Sequence, residues 1–210
     1  MPVADFFKQF VLLWSVIDPI GTIPVFIAIA ASLHGGVNPR QLAYKAITVA
    51  GCVLLFFVVA GEFLLDAMGI PLEAFQIAGG LVLFLFALTM IFGESKPEEE
   101  LHMVQRGMQS AVFPLAIPSI ASPGAMTAAV LLTDNHRFSW IHQFFTTLVI
   151  LVVLAITLVA MLLATRIMKI IGEAGASVVS RVMGLILAAV AVNSVLNGIQ
   201  LYFGLGVTTP

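Results

Sequence analysis

Six stretches of mainly apolar residues follow one another along the chain, and short polar segments separate them. They cover approximately residues 6–33, 43–65, 72–92, 111–133, 140–165 and 178–203. A helix needs about 20 apolar residues to cross the hydrocarbon core of a bilayer, and each stretch meets or nearly meets that length. The pattern predicts an all-α membrane protein with six transmembrane helices in a single integral membrane domain, residues 1–210.

The first and fourth stretches are interrupted by proline and glycine, whereas the other four contain no proline. The interruptions read "DPIGTIP" at 18–24 and "PSIASPG" at 118–124. A helix broken inside the bilayer frees backbone N–H and C=O groups, and each of these costs several kcal/mol unless protein, water or a ligand satisfies it. We therefore expect both broken helices to line a cavity.

The two halves of the chain match each other at a shift of 104 residues, without a gap. This shift places Asp18 on Ser122 and Pro19 on Pro123, and it aligns all three pairs of spans. Internal symmetry of this kind is common in transporters. Because each half, approximately 1–104 and 105–210, holds three spans, the second half should lie upside down relative to the first.

The composition excludes several other classes of protein. Hydrophobic residues make up 60% and charged residues 10%, against roughly 45–50% and 25% in soluble domains. A net charge of -2, with Lys and Arg scattered over short loops, gives no reason to expect nucleic acid as a partner. Cys52 is the only cysteine, so neither a disulfide framework nor a thiolate metal site is expected.

The N-terminal residues lack the basic region and cleavage site of a signal peptide, so the first helix is expected to remain as a span. Lys and Arg then set the orientation, since they accumulate in short cytoplasmic loops. One side holds two of these residues and the other holds seven. We expect a multi-pass membrane protein with both termini outside, in the periplasm where there is one.

Asp18 is the only carboxylate well inside a predicted span, because Glu62, Asp66 and Glu73 cluster at a membrane edge. An ionisable group inside the membrane costs at least about 2.5–3.5 kcal/mol and marks function by default. Asp18 could pair with a substrate amine, hold a coupling cation, or take and release a proton. It could equally cap the restarted half-helix, since Asp is a good N-cap, and the two roles are compatible.

The other candidate binding residues lie mainly in the two breaks. Proline and glycine let each helix stop and restart, so that free N–H groups point into the gap and favour a carboxylate or another anionic group. Nearby hydroxyls could bond a ligand or merely satisfy the freed backbone. The set consists of Pro19, Gly21, Thr22 and Pro24 in the break of the first stretch, and Ser119, Ser122, Pro123 and Gly124 in the break of the fourth stretch.

The sixth span adds Asn193, which could face the cavity or form hydrogen bonds between helices. Gly79, Gly80 and Gly184 lie among large aliphatic residues and are expected to allow close helix packing. The four histidines fall in loops or at span ends, and only one carboxylate lies within the membrane. We therefore do not expect an enzyme, and no cofactor is expected beyond a coupling Na⁺ or H⁺.

The motifs "DPIGTIPVF" at 18–26 and "PLAIPSIASPGA" at 114–125 resemble those of the MarC family of bacterial inner-membrane proteins. Further similarity runs through 75–91 and 180–200, so the resemblance covers nearly the whole chain. It implies a relation to the LysE superfamily of amino-acid exporters and to a cation-coupled transporter of neutral amino acids. It does not by itself imply antibiotic resistance. The chain differs from many relatives at Asp18, where they have Asn, and at Ser122, where they have Gly.

Together these features predict a secondary transporter of a small zwitterion, a neutral amino acid, that is coupled to H⁺ or Na⁺ or acts as an exporter. The substrate carboxylate would meet the half-helix N-termini at Gly21 to Thr22 and at Gly124 to Ala125. Its ammonium or the coupling cation would meet Asp18. A passive channel through the same breaks and a non-transporting membrane scaffold are the alternatives. The expected partners are the lipid bilayer and the solute, and assembly into a homo-oligomer is compatible with the sequence.

Overall fold

A computed structural model describes residues 3–32, 38–92, 111–133 and 139–204, and every regular element in these ranges is helical. The elements are α1 (Val3–Ile17), α2 (Thr22–Ser32), α3 (Pro39–Ala67), α4 (Leu72–Phe92), α5 (Val112–Ile120), α6 (Pro123–Leu132), α7 (Trp140–Leu162) and α8 (Ala164–Tyr202).

Five helical segments in the described ranges are long and apolar enough to cross a membrane. They are Phe6–Ile27, Pro39–Ala67, Leu72–Phe92, Trp140–Leu162 and Ser177–Tyr202. The predicted fourth span, 111–133, is not among these five, and it consists of the two short elements α5 and α6. The element α5 is a π-helix, and within it Phe113 and Ile117 have extended backbone angles. Phe113 precedes Pro114 and Ile117 precedes Pro118, and the residue before a proline is pushed out of helical geometry.

The two ends of α3 show how the local sequence determines where a helix begins and ends. Asn38 starts α3 by accepting a hydrogen bond from the Arg40 N–H at 3.0 Å. At the other end Gly69 has φ +64, and the Ile70 N–H reaches back to the Leu65 carbonyl at 2.9 Å. This bond satisfies a carbonyl that the end of the helix would otherwise leave open, and glycine takes the left-handed angle at no steric cost.

Helices α4 and α8 run antiparallel and pack closely at glycines. A Cβ atom on Gly80 would lie 3.0 Å from the Ala191 carbonyl oxygen, and one on Gly184 would lie 3.1 Å from the Ala87 carbonyl oxygen. Nothing larger than hydrogen fits at either position without displacing the neighbouring backbone. The predicted packing role of these glycines is therefore confirmed, and Gly79 likewise lies against the Thr127 side chain of α6.

Much of the outer surface is apolar, as expected for a protein surrounded by lipid. On α3 the side chains of Val59 and Phe63 are 80% and 73% exposed. In water, a large exposed apolar surface would promote aggregation. The helix α8 begins well before the predicted span at 178, and it contains a kink at Gly172, where φ is +69. Hydropathy detects only the membrane-embedded part of a helix, which explains the earlier start.

Candidate functional site

The first break lies between Ile17, where α1 ends, and Thr22, where α2 begins. Asp18 has φ +48, a left-handed conformation that is uncommon for residues other than glycine and least unfavourable for Asn and Asp. Its N–H still bonds to the Trp14 carbonyl at 2.8 Å, and its own carbonyl accepts the Thr22 N–H at 3.1 Å. The chain therefore changes direction at Asp18 and re-enters a helix immediately afterwards.

The carboxylate of Asp18 is 1% exposed, and both of its oxygens have a hydrogen-bond donor. Oδ1 accepts the Gly21 N–H at 3.0 Å. Oδ2 accepts the Ser180 hydroxyl of α8 at 2.9 Å. Burying a charge is costly unless it is hydrogen-bonded, and bonds to an ionised group are the strong ones. The capping interpretation of Asp18 thus accounts for one oxygen, and the second is held by a distant helix.

The second break has the same local design. Ser122 is the N-cap of α6, with Pro123 in the first helical position. Its hydroxyl accepts the Ala125 N–H at 3.1 Å, and its carbonyl accepts the Met126 N–H at 2.9 Å. These bonds correspond, at the shift of 104 residues, to those that Asp18 accepts from residues 21 and 22. Proline suits this position because its missing N–H would have no helical partner there.

The two breaks touch each other. The Ser122 hydroxyl donates to the Val16 carbonyl at 3.3 Å, two residues before Asp18. A Cβ atom on Gly124 would lie 3.0 Å from Val16 Cγ1. The carbonyl that the end of α1 leaves open is therefore satisfied by the cap of α6, and the glycine lets the two segments approach.

Several N–H groups that the sequence assigned to a ligand are bonded within the protein. The Gly21 N–H is held by the Asp18 carboxylate, the Thr22 N–H by the Asp18 carbonyl, and the Ala125 N–H by the Ser122 hydroxyl. The reason is that the residue preceding each proline is itself a good cap. In this conformation a solute would have to displace protein groups in order to bind these N–H groups.

The remaining predicted site residues are placed as follows. Pro19, Thr22, Ser119 and Gly124 are buried at the breaks, Pro24 is half-buried in α2, and Pro123 is exposed. The Thr22 hydroxyl donates to the Asp18 carbonyl at 3.0 Å, so it supports the backbone. Asn193 lies apart from this group, on the wall of a cavity.

Two adjoining cavities open beside the breaks. The smaller, of about 200 Å³, is lined by Gln76, Leu83, Ala128, Asn193 and Asn197 among others. The larger, of about 390 Å³, is apolar and reaches Phe7 and Lys8 near the start of α1. Both share the lining residues Leu12, Leu132 and Val190. The path therefore begins at the face that carries the N-terminal end of α1 and the C-terminal end of α8.

Leu83 closes the inner end of this path. It lines the smaller cavity, and its Cδ2 atom would lie 2.8 Å from a Cβ atom on Gly124. One layer of side chains thus separates the cavity from the two breaks. Within the described ranges no group of three His, Cys, Asp or Glu side chains is arranged to hold a metal ion.

Sequence reasoning missed Ser180, which completes the coordination of Asp18. The residue is 4% exposed and lies 162 positions away in the chain. The sequence does contain a pattern that could have indicated Ser180. One buried face of α8 is formed, at helical spacing, by Ser180, Gly184, Leu187 and Ala191. A polar residue on an otherwise apolar buried face indicates a specific partner.

A family model for the MarC family of integral membrane proteins matches residues 3–203. The chain belongs to the MarC family. Among curated relatives, the UPF0056 membrane protein MJ1677 of Methanocaldococcus jannaschii is 35% identical over 205 residues, covering 95% of this chain and 98% of the relative. The UPF0056 inner membrane protein YhgN of Escherichia coli is 31% identical over 194 residues, covering 91% and 94%.

These relatives support an integral, multi-pass membrane location for the MarC-family chain, and one of them is named as an inner membrane protein. Their names state no substrate and no transport activity. No solved structure is significantly similar to the chain. The chemistry of the site must therefore be argued from its own geometry.

Proposed function

We propose that this MarC-family protein is a secondary transporter of a small zwitterionic solute, a neutral amino acid. The observation that carries the proposal is the buried Asp18 carboxylate, held in a helix break that touches a second break beneath an open cavity. The carboxylate provides a partner for an ammonium group, Na⁺ or H⁺. The half-helix N-termini at Gly21 and Ala125 provide N–H groups for a carboxylate, once the caps move.

We further propose that the chain forms six spans in two inverted halves, with α5 and α6 together making the fourth span. Support comes from pairs of contacts that exchange under the shift of 104 residues. Gly80 lies against Ala191, and the shifted pair, Gly184 and Ala87, makes the same contact. Because α4 and α8 are antiparallel, the operation that exchanges these contacts is consistent with a two-fold axis in the membrane plane.

A carrier explains the cavity better than a channel does. Among the described residues, the cavities reach from the face of the termini to Leu83, which lies against Gly124 of the second break. A carrier exposes its site to one side at a time, so an access path closed at its inner end is expected of it. An open channel would need a continuous path between both faces.

Counterflow in proteoliposomes tests the proposal. Purified protein, shown to be folded by a symmetric gel-filtration peak, is reconstituted with unlabelled alanine, glycine or serine inside, and uptake of the labelled amino acid is followed. A carrier gives uptake that saturates and is stimulated by the internal solute. Leakage without trans-stimulation would indicate a channel, and the absence of any flux of these amino acids would refute the neutral amino-acid assignment.

A further inference from the structure

The hydrogen bond between Ser180 and Asp18 joins the second half of the chain to the break of the first half. The Ser180 hydroxyl donates to Oδ2 at 2.9 Å, and both residues are buried. A Cβ atom on Gly21 would lie 2.7 Å from Ser180 Oγ, so α8 lies directly against the break. The bond therefore closes the contact between α2 and α8 around the carboxylate.

The residue that corresponds to Ser180 in the first half is Gln76, 104 positions earlier. Its surroundings are different. The Gln76 amide donates to the Ser194 carbonyl of α8 at 3.2 Å, and the residue lines the smaller cavity. The Ser122 hydroxyl, which corresponds to the Asp18 carboxylate, bonds to the Val16 carbonyl and the Ala125 N–H.

The same asymmetry extends along both helices. Leu83 and Leu12 line cavity space on the side of Gln76. Their counterparts, Leu187 and Ala116, are both 0% exposed; Leu12 is half-buried, whereas Leu83, at 2%, is nearly as buried as Leu187. At two pairs of equivalent positions, Leu12 with Ala116 and Gln76 with Ser180, the first residue lines a cavity and the second is enclosed by the protein. Two inverted halves differ in this way when a carrier is open to one side only.

We propose that Ser180 is a latch on Asp18, a positioning residue that keeps the face opposite the termini closed while the cavity beside Gln76 is open. In the alternative conformation Ser180 leaves Asp18 and Gln76 moves to the Ser122 break. Ser180 and the ammonium group or cation therefore compete for Oδ2, and only one of them binds it at a time. This inference rests on the proposed transporter function and identifies the side chain that couples occupation of Asp18 to opening.

A reporter for the alternative conformation tests the latch without any transport measurement. Replacing Cys52, an exposed residue of α3, with alanine removes the only cysteine. Leu187→Cys is then introduced, and its reaction with a membrane-impermeant thiol reagent is followed from each face of the membrane. Asn197→Cys, an exposed residue on the open cavity, is the positive control for access from the face of the termini.

Leu187→Cys should react slowly in the otherwise unchanged protein, because its position is closed in the dominant conformation. Ser180→Ala should raise its reactivity from the face opposite the termini by about tenfold, since a hydrogen bond to a charged group contributes roughly the free energy of a tenfold change in population. Ser180→Thr keeps the hydroxyl and should restore protection. Ser15→Ala is the matched control, because the Ser15 hydroxyl is also buried against α8 but donates to the Val11 carbonyl at 2.8 Å and to Met183 Sδ at 3.6 Å rather than to Asp18.

Equal Leu187→Cys reactivity in the wild-type, Ser180→Ala and Ser15→Ala backgrounds would overturn the latch. The counterflow assay separates this failure from failure of the transporter proposal. Working amino-acid exchange with unchanged labelling would refute the latch alone. Labelling as expected, without exchange, would refute the amino-acid transporter and leave the latch in place. If both hold, Ser180→Ala should lower the half-saturating alanine concentration, because a competitor for Oδ2 has been removed.

Discussion

Gly21→Ala should disturb the site by steric overlap, without any backbone strain. Gly21 lies outside the left-handed region of backbone angles, so alanine can adopt its conformation. The added Cβ atom, however, would overlap Asp18 Oδ2 and would lie 2.7 Å from both Asp18 Cγ and Ser180 Oγ. Because Asp18 is buried, its carboxylate cannot swing into water to make room.

The expected cost follows from the bonds that must be given up. Moving the carboxylate breaks its bond to Ser180 and strains its bond to the Gly21 N–H, and hydrogen bonds to charged groups contribute about 1.5–3 kcal/mol each. We expect the free energy of unfolding to fall by about 2–4 kcal/mol, measured by reversible denaturation in mixed micelles, and counterflow to be lost. Gly51→Ala is the control, because its Cβ atom would meet only Leu154 Cδ1, at 3.6 Å. Equal stability of the two variants would refute this reasoning.

Two further substitutions test the packing and the second break. Gly80→Val should lower the unfolding free energy by about 1–3 kcal/mol through overpacking against the Ala191 carbonyl; a variant as stable as wild type would show that α4 and α8 can separate freely. Ser122→Ala removes the cap on the Ala125 N–H and should cost about 0.5–2 kcal/mol, whereas Ser139→Ala, where the capping distance is 3.4 Å, should cost less. The reverse order in the same denaturation assay would contradict the assigned caps.

The breaks could be predicted because their causes are local. Proline removes an N–H and glycine removes a side chain, so "DPIG" and "SPGA" determine where α1 and α5 end whatever surrounds them. The caps at Asp18 and Ser122 follow from the same few residues. The five candidate spans likewise follow from the length of their apolar stretches.

Features that depend on distant residues could not be predicted in the same way. Spacing along the chain does not indicate that Ser180 meets Asp18, since the contact depends on how α8 packs against the first break. Asn193 was predicted to belong to the site, and it lines the outer cavity on a separate part of α8.

Asp18→Asn tests the central claim most directly. Asparagine matches the carboxylate in shape, its oxygen can still accept the Gly21 N–H, and the Ser180 hydroxyl can accept from its amide, so the fold should persist. Asp66→Asn removes an equal charge from an exposed position at the end of α3 and serves as the control. Trans-stimulated alanine uptake is measured over a range of pH and Na⁺ concentration. The account predicts that only Asp18→Asn loses or alters the cation dependence, and an unchanged rate and cation dependence in folded Asp18→Asn would contradict it.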